Sequence, residues 1–326
     1  MIKEHPSWEI RDSSKLDDYY SCARKYFFCH ILGWRIDSHQ HDLFFGECWH
    51  VAREYMLIHG YDDIVGALNA FMVHYRKKLT DPETDRLYRP KDPDAVIIAL
   101  AQFAGNYQHD LRDNEKLYTE ISGTVPIDEK RVLYFRMDSI LREVERGYIF
   151  SWDHKTKGGD FNRQWEEKFH LGIQNGTYTH CLYCMYPEEM KEGLIKGVEF
   201  CGTSFKYLKK GGSVNPQGYN INFKRVPAWK SPKQMNIWLW NTIDLLDDLD
   251  RDMDRLSSCR EDDPVMMAFR MNPNSCTDYW GCAFHDYCLT WQNPLRHCFE
   301  PPIGFKVEFW DPREMKTTNK MDLEWK

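Results

Sequence analysis

Asp138, Asp153 and Lys155 lie in two apolar, β-rich runs that flank the polar turn 143–147. A hairpin turning between Glu145 and Arg146 sets Asp138 directly opposite Asp153. Opposed residues of an antiparallel pair have Cβ atoms about 5 Å apart. Lys155 is two positions beyond Asp153 and projects from the same face. Two carboxylates and one ammonium then converge on one spot. Carboxylates that close repel unless a cation sits between them, and oxygen donors suit Mg²⁺ or Mn²⁺. A one-residue slip would turn Asp138 to the other face. Register therefore separates a site from ordinary charges on a strand surface.

Other residues have spacings that permit chemistry. Gln174 and Tyr178 are four apart on a predicted helix after the hairpin, so both can reach one ligand or simply share a helix surface. Gly46 and His50 share a helix face much earlier, with Glu54 one turn on. His50 is a ligand or a satisfied core histidine. Cys276, Cys282 and Cys288 follow near the C-terminus with five residues between neighbours, among polar and aromatic filler. Packing explains such spacing poorly. A fourth thiolate would complete a site for a [4Fe–4S] cluster or for zinc, and Cys22, Cys259 and Cys298 are available. No CxxC knuckle occurs in that stretch, which disfavours a zinc ribbon. Cys181 and Cys184 have that spacing, but on a helix that reads as packed, so they are core thiols.

The elements that must position these residues are readable in outline. Helices are predicted over 15–34 (capped by Ser13 or Ser14), 43–60, 61–79 and 95–111, with a Pro- and Asp-rich loop over 80–94. A strand over 116–127, broken at Gly123 and Pro126, precedes the hairpin. A helix over 161–186, strands over 194–205 and 219–226, and a helix over 231–258 follow, the last with Ser231 as cap and Pro232 at its first position. Helices, then an antiparallel-rich sheet, then helices give an α/β core with a helical N-terminal lobe and a small C-terminal cap.

The totals bound the function. The chain has 326 residues, enough for one large domain or two modest ones, and a net charge of −7. That charge counts against a protein that coats nucleic acid by electrostatics alone. Neither GxxxxGK[ST] nor GxGxxG occurs, so no nucleotide-driven motor is encoded. There is no secretory h-region at the N-terminus and no long apolar run. Eleven cysteines without a secretory signal point to thiols or ligands in a reducing cytoplasm.

Taken in order, these residues resemble the RecB-like branch of the PD-(D/E)xK nucleases, especially the Cas4-like and phage-encoded exonucleases that carry an iron–sulfur cluster. The resemblance rests on Cys22 in an aromatic and basic helix, Phe45-Gly46 with His50, Asp138, Asp153-x-Lys155, Gln174 with Tyr178, and Cys276, Cys282 and Cys288. It spans residues 14–288. One departure stands out: members often space the last cysteines as C-x2-C-x5-C, and only the second gap matches here. Many nucleases have Glu where this chain has Asp153, but Asp is normal in this branch.

The resemblance implies a restriction-endonuclease-like core sheet flanked by helices. The helical N-terminal lobe would occupy 1–115, the nuclease core 116–258 and the Cys-cluster cap 259–326. It implies metal-dependent phosphodiester hydrolysis in DNA, with His50, Asp138, Asp153 and the backbone carbonyl of His154 holding Mg²⁺ or Mn²⁺. Glu120 and Glu54 are lesser candidates for the acidic shell. Lys155 would orient water or stabilise developing charge, and Gln174 and Tyr178 would hold the DNA backbone. Cys22 would join the three late cysteines on a structural [4Fe–4S] cluster, with zinc as the alternative. Lys206, Lys209, Lys210, Lys224 and Arg225 form either a phosphate-tracking groove or a solvated charged face. The implied partners are single-stranded or resected double-stranded DNA and proteins of a replication or recombination complex, in the cytoplasm of a host if the chain is phage-encoded. Two other readings are a catalytically silent DNA clamp on the same fold and a zinc-stapled interaction protein.

Overall fold

The turn at 143–147 closes through a Gly147 amide bonded to the Glu143 carbonyl at 2.9 Å, with Gly147 in the left-handed region (φ 74°). Ser139 then pairs with Trp152 and Ile140 with Ser151. This is the register expected from the sequence, and it leads directly to Asp138 beside Asp153. The computed structural model describes residues 2–38, 40–208, 218–278, 281–315 and 317–324.

The N-terminal helix departs from expectation. Helix α1 (Ser13–Ser21) is capped by Asp12, whose carboxylate accepts from the Lys15 amide at 2.7 Å, rather than by either serine. Cys22 is extended (φ −163°), and the helix resumes as α2 (Ala23–Tyr26) before a single π turn over Phe27–Ile31. The break has a tertiary cause. The Arg24 amide donates to the Arg270 carbonyl at 3.1 Å, its Nε to the Phe269 carbonyl at 2.9 Å, and the Asn272 amide meets Cys22 Sγ at 3.4 Å. Backbone groups that would have continued one helix instead bind a segment some 250 residues away.

Strand β1 (Trp34–Ile36) leads to α3 (His41–His59), closed by Gly60, and then to α4 (Ile64–Tyr75), α5 (Pro93–Asn106) and the short α6 (Asp110–Asp113). Asp63 and Asp92 cap α4 and α5. Strands β2 (Asn114–Pro126), β3 (Val132–Glu143) and β4 (Ile149–Gly158) follow. The predicted helix over 161–186 is split into α7 (Arg163–Glu167) and α8 (Ile173–Met185). The buried Asn175 side chain, bonded to the Phe169 carbonyl at 3.1 Å and the Ala228 carbonyl at 2.7 Å, holds the chain between them in a turn. After α9 (Pro187–Lys191) come β5 (Ile195–Tyr207), β6 (Tyr219–Trp229) and α10 (Pro232–Ser258). Helix α10 opens on a reciprocal Ser231–Gln234 capping box. The C-terminal part contributes α11 (His285–Thr290), β7 (Phe305–Val307) and β8 (Asn319–Asp322).

The main sheet is mixed and six-stranded, in the order β6-β5-β4-β3-β2-β8, with helices packed against it. β4–β5 and β2–β8 are parallel and the other neighbours antiparallel. The parallel β4–β5 step needs a crossover, and α7 to α9 supply it. Strand β2 does not break at Gly123. The Met321 carbonyl approaches so closely there that no side chain would fit, and this lets β8 lie alongside.

Two apolar clusters hold the layers together. One joins α1 and the π turn to α8, α10 and the sheet through Leu16, Phe27, Met137, Phe200 and Leu246. The other joins α3, α4 and α5 to the far end of β5 and β6 through Phe45, Trp49, Phe71, Phe205 and Ile221. Each such fully buried large side chain contributes roughly 1.5–3 kcal/mol. Gly176 lets the Trp238 ring of α10 lie directly on α8; an added Cβ would stand 2.1 Å from it. Among the described residues, no helix is long and apolar enough to cross a membrane.

Candidate metal centre and its surroundings

Helix α3 projects His50 onto the hairpin. Its Nδ1 lies 3.1 Å from Asp138 Oδ1, while Asp138 Oδ2 accepts from the His154 amide at 2.7 Å. Both carboxylate oxygens are thus oriented, one towards α3 and one towards β4. Glu120, on the neighbouring β2, completes the group. Donor atoms of His50, Glu120 and Asp138 lie within 4.8 Å of one another, the one such trio among the described residues. Cis ligands of an octahedron with bonds of about 2.1 Å stand about 3 Å apart. A His nitrogen and two carboxylates are donors suited to Mg²⁺ or Mn²⁺, and the 3.1 Å between His50 Nδ1 and Asp138 Oδ1 matches that spacing.

Asp153 is placed differently from the expected set. It is 2% exposed and stands outside the trio. Its Oδ2 forms an ion pair with Lys155 Nζ at 2.8 Å. Its Oδ1 accepts from Gln174 Nε2 at 3.2 Å. Gln174 is the hub of this side. Its Oε1 accepts from Lys155 at 3.1 Å, and its Nε2 also reaches the Tyr178 hydroxyl at 3.0 Å. Tyr178 is buried and donates to the Arg136 carbonyl, so it supports Gln174 from below instead of facing the cleft.

Burial and closely spaced opposite charges set the electrostatics of this group. Burial would raise the pKa of Asp138, but the charge and hydrogen bond of His50, with the His154 amide, hold it well below the usual carboxylate range. Burial opposes a proton on His50, yet Asp138 outweighs it and raises the imidazole pKa. Burial, then the Asp138 charge, push Glu120 up to about 7 against its pairing with Arg136. Burial also raises Asp153, with Lys155 opposing and Asp138 adding. The His154 ring, buried and packed edge-on to His50 at 6.1 Å, is held neutral by burial.

A cleft of about 1290 Å³ opens over this centre. Helix α3, strand β1, the end of α4 and the C-terminal segment from Lys306 to Thr318 bound it. Glu54 lines it and accepts from Thr318 Oγ1 at 3.2 Å, so it ties the α3 wall to that segment. Three of the five basic residues expected to form a groove, Lys206, Lys224 and Arg225, do not line this cleft. Arg225 is internal, between Asp110 and Glu199 and over the Tyr107 and Trp152 rings. Lys206 pairs with Asp160 and Lys224 with Glu166. Lys209 and Lys210 lie outside the described residues. Charged side chains on strands near opposite charge pair locally, and the sequence had no means of showing those partners. The cations that do line the cleft include Arg35, Lys77 and Lys78. Lys77 and Lys78 carried only a weak signal, a basic pair at a helix end, and Arg35 carried none.

All eleven cysteines are free thiols. Cys22 comes to the same neighbourhood as the three late cysteines. Burial raises the Cys288 pKa to about 11, and the charges of Cys22, Cys282 and Cys276 add to it. Cys276 is raised too, by burial and then by Cys282 and Cys22. Cys298 instead bonds the Leu295 carbonyl at 3.1 Å. No three of these sulfurs gather within 4.8 Å. A single zinc with bonds of about 2.3 Å would hold its sulfurs about 3.8 Å apart. Every trio of these sulfurs is wider than that.

No family model matches this chain, and no curated protein matches it. Among solved structures, one described as "Crystal structure of SSO0001" is similar over 73% of this chain and 82% of its own, at 13% identity and a TM-score of 0.25.

Proposed function

We propose that this chain is a metal-dependent deoxyribonuclease of the PD-(D/E)xK type, in the RecB-like and Cas4-like branch, acting as an exonuclease in DNA processing. The observation that carries the reading is the clustering of His50 from α3, Asp138 from β3, Asp153 and Lys155 from β4 and Gln174 from α8 beside one cleft, which His50 and Lys155 line. These residues come from four elements spread over more than a hundred positions. A restriction-endonuclease-like core is supported by the β2–β3–β4 meander followed by a helical crossover to a parallel β5.

His50, Asp138 and Asp153 would hold Mg²⁺ or Mn²⁺, with the His154 carbonyl beside them; the ion would polarise a phosphodiester and favour attack by water. The chain's own residues do the rest. Asp153 and Gln174 fix the Lys155 ammonium at the rim of the carboxylates, where it can stabilise charge developing on a phosphate. Gln174 orients Lys155 and Asp153 together, and Tyr178 locks Gln174. Asp138, held ionised by His50, keeps a carboxylate ready for a cation. Arg35, Lys77 and Lys78 offer charge for the phosphates of a strand entering the cleft. Cys22, Cys276, Cys282 and Cys288 would carry a structural [4Fe–4S] cluster that ties the chain's two ends together, and their wide spacing favours it over a single zinc.

The test is a cleavage assay on 5′- and 3′-labelled single and double strands with and without Mn²⁺. Mn²⁺-dependent release of nucleotides supports the reading. Binding without cleavage under every metal condition would leave a DNA clamp in its place.

A further inference from the structure

Glu120 is only a lesser candidate for the acidic shell in the sequence, yet its donor atom joins those of His50 and Asp138 within 4.8 Å, a group that does not include Asp153. It occupies the β2 position opposite Asp138, between the pairs Thr119–Ser139 and Ile121–Met137. Thr119, Glu120 and Ile121 are all buried, so both faces of the strand are covered here. Glu120 has φ +43°, in the left-handed region, and lines the cleft on the same face as Asp138. Its carbonyl accepts from the Thr318 amide at 2.9 Å, just before β8 begins, so the C-terminal strand fixes this conformation.

The side chain is also divided in its contacts. Arg136 takes Glu120 Oε2 twice, from Nε at 3.0 Å and Nη2 at 2.6 Å. Oε1 carries no hydrogen bond among the described residues. Asp153, by contrast, is committed to Lys155 and Gln174.

We propose that Glu120 is a direct ligand of the divalent cation and forms its seat with His50 and Asp138, while Arg136 holds the oxygen that does not bind. Asp153 then closes the seat from the β4 side and keeps Lys155 in place. The inference rests on the reading of the centre as a cation site. The competing role for Glu120 is purely structural, as the partner of Arg136.

The two roles separate in a Mn²⁺ titration of the DNA-free protein at pH 8, with free Mn²⁺ followed by electron paramagnetic resonance. Glu120→Gln keeps the shape and a hydrogen-bond acceptor for Arg136, and it should weaken Mn²⁺ binding by about tenfold or more. Arg136→Met should leave Mn²⁺ binding within about twofold of wild type or tighten it, because a nearby positive charge is removed. If Glu120→Gln binds Mn²⁺ like wild type, the ligand assignment is overturned and the nuclease reading stands. If Arg136→Met loses Mn²⁺ binding, Glu120 is a structural partner; this arm decides alone should Glu120→Gln fail to fold. A wild-type protein that binds no Mn²⁺ overturns both the assignment and the reading beneath it.

Discussion

At the scale of residues, the centre divides into two halves with different tasks. His50, Glu120 and Asp138 form a donor group, and Asp153, Lys155, Gln174 and Tyr178 form a hydrogen-bonded chain beside it. The second half predicts a positioning effect. Gln174→Ala frees Lys155 and Asp153 from their shared anchor, and the single-turnover cleavage rate should fall by about 10- to 100-fold with Mn²⁺ affinity little changed. An unchanged rate would show that Lys155 needs no such anchor. Much of this site was legible in the chain because hairpin pairing is local: a turn between Glu145 and Arg146 fixes what opposes Asp138. Glu120 was only a lesser candidate in the sequence, since a lone carboxylate in an earlier strand has no spacing signature. The burial of Tyr178 was also invisible. Its place on the face of α8 was readable, but the Arg136 carbonyl beneath it was not.

At the scale of elements, local chemistry set most boundaries and long-range contacts set the exceptions. The capping box at Ser231, Gly60 after α3 and the tight turn at Gly147 were all readable. The break at Cys22 was not, because the groups that cause it lie at 269–272. Helix α1 and the π turn are instead locked by Asp18, which meets His30 Nε2 at 2.8 Å and Lys25 Nζ at 2.7 Å. Burial opposes the Asp18 charge, but these partners win and lower its pKa from 3.8 to about 2. A depressed acid stabilises the fold above its unfolded pKa and loses that contribution as pH falls through the folded value. Asp18 should therefore contribute about 2 kcal/mol at neutral pH that disappears between roughly pH 4 and pH 2. Thermal melts of Asp18→Asn should show lower stability at pH 7 and a shallower decline over that window. Parallel curves for the two proteins would refute this role.

For the whole molecule, the two ends of the chain are what the sequence conveyed least. A helices–sheet–helices order was readable, but β1 pairs with β7 some 270 residues later, and β8 lies parallel to β2. Strands of three or four residues made by distant partners leave no pattern in composition. Both pairings bound the cleft, and the second fixes Glu120, so the C-terminal segment belongs to the site as well as to the fold. The cysteines act at the same scale. Cys22 lies near one end of the chain and Cys276, Cys282 and Cys288 near the other, and a group that bridges them closes a long loop. Protein purified without oxygen should be brown and contain iron and sulfide, and Cys22→Ser or Cys282→Ser should lose both colour and thermal stability. Colourless protein with stoichiometric zinc would replace the cluster by a zinc staple. The central claim, that this centre hydrolyses DNA, meets its most direct test in Lys155→Ala. Mn²⁺-dependent cleavage of a labelled strand should vanish while the protein stays folded and binds DNA as wild type does; cleavage at the wild-type rate in that variant would contradict the claim.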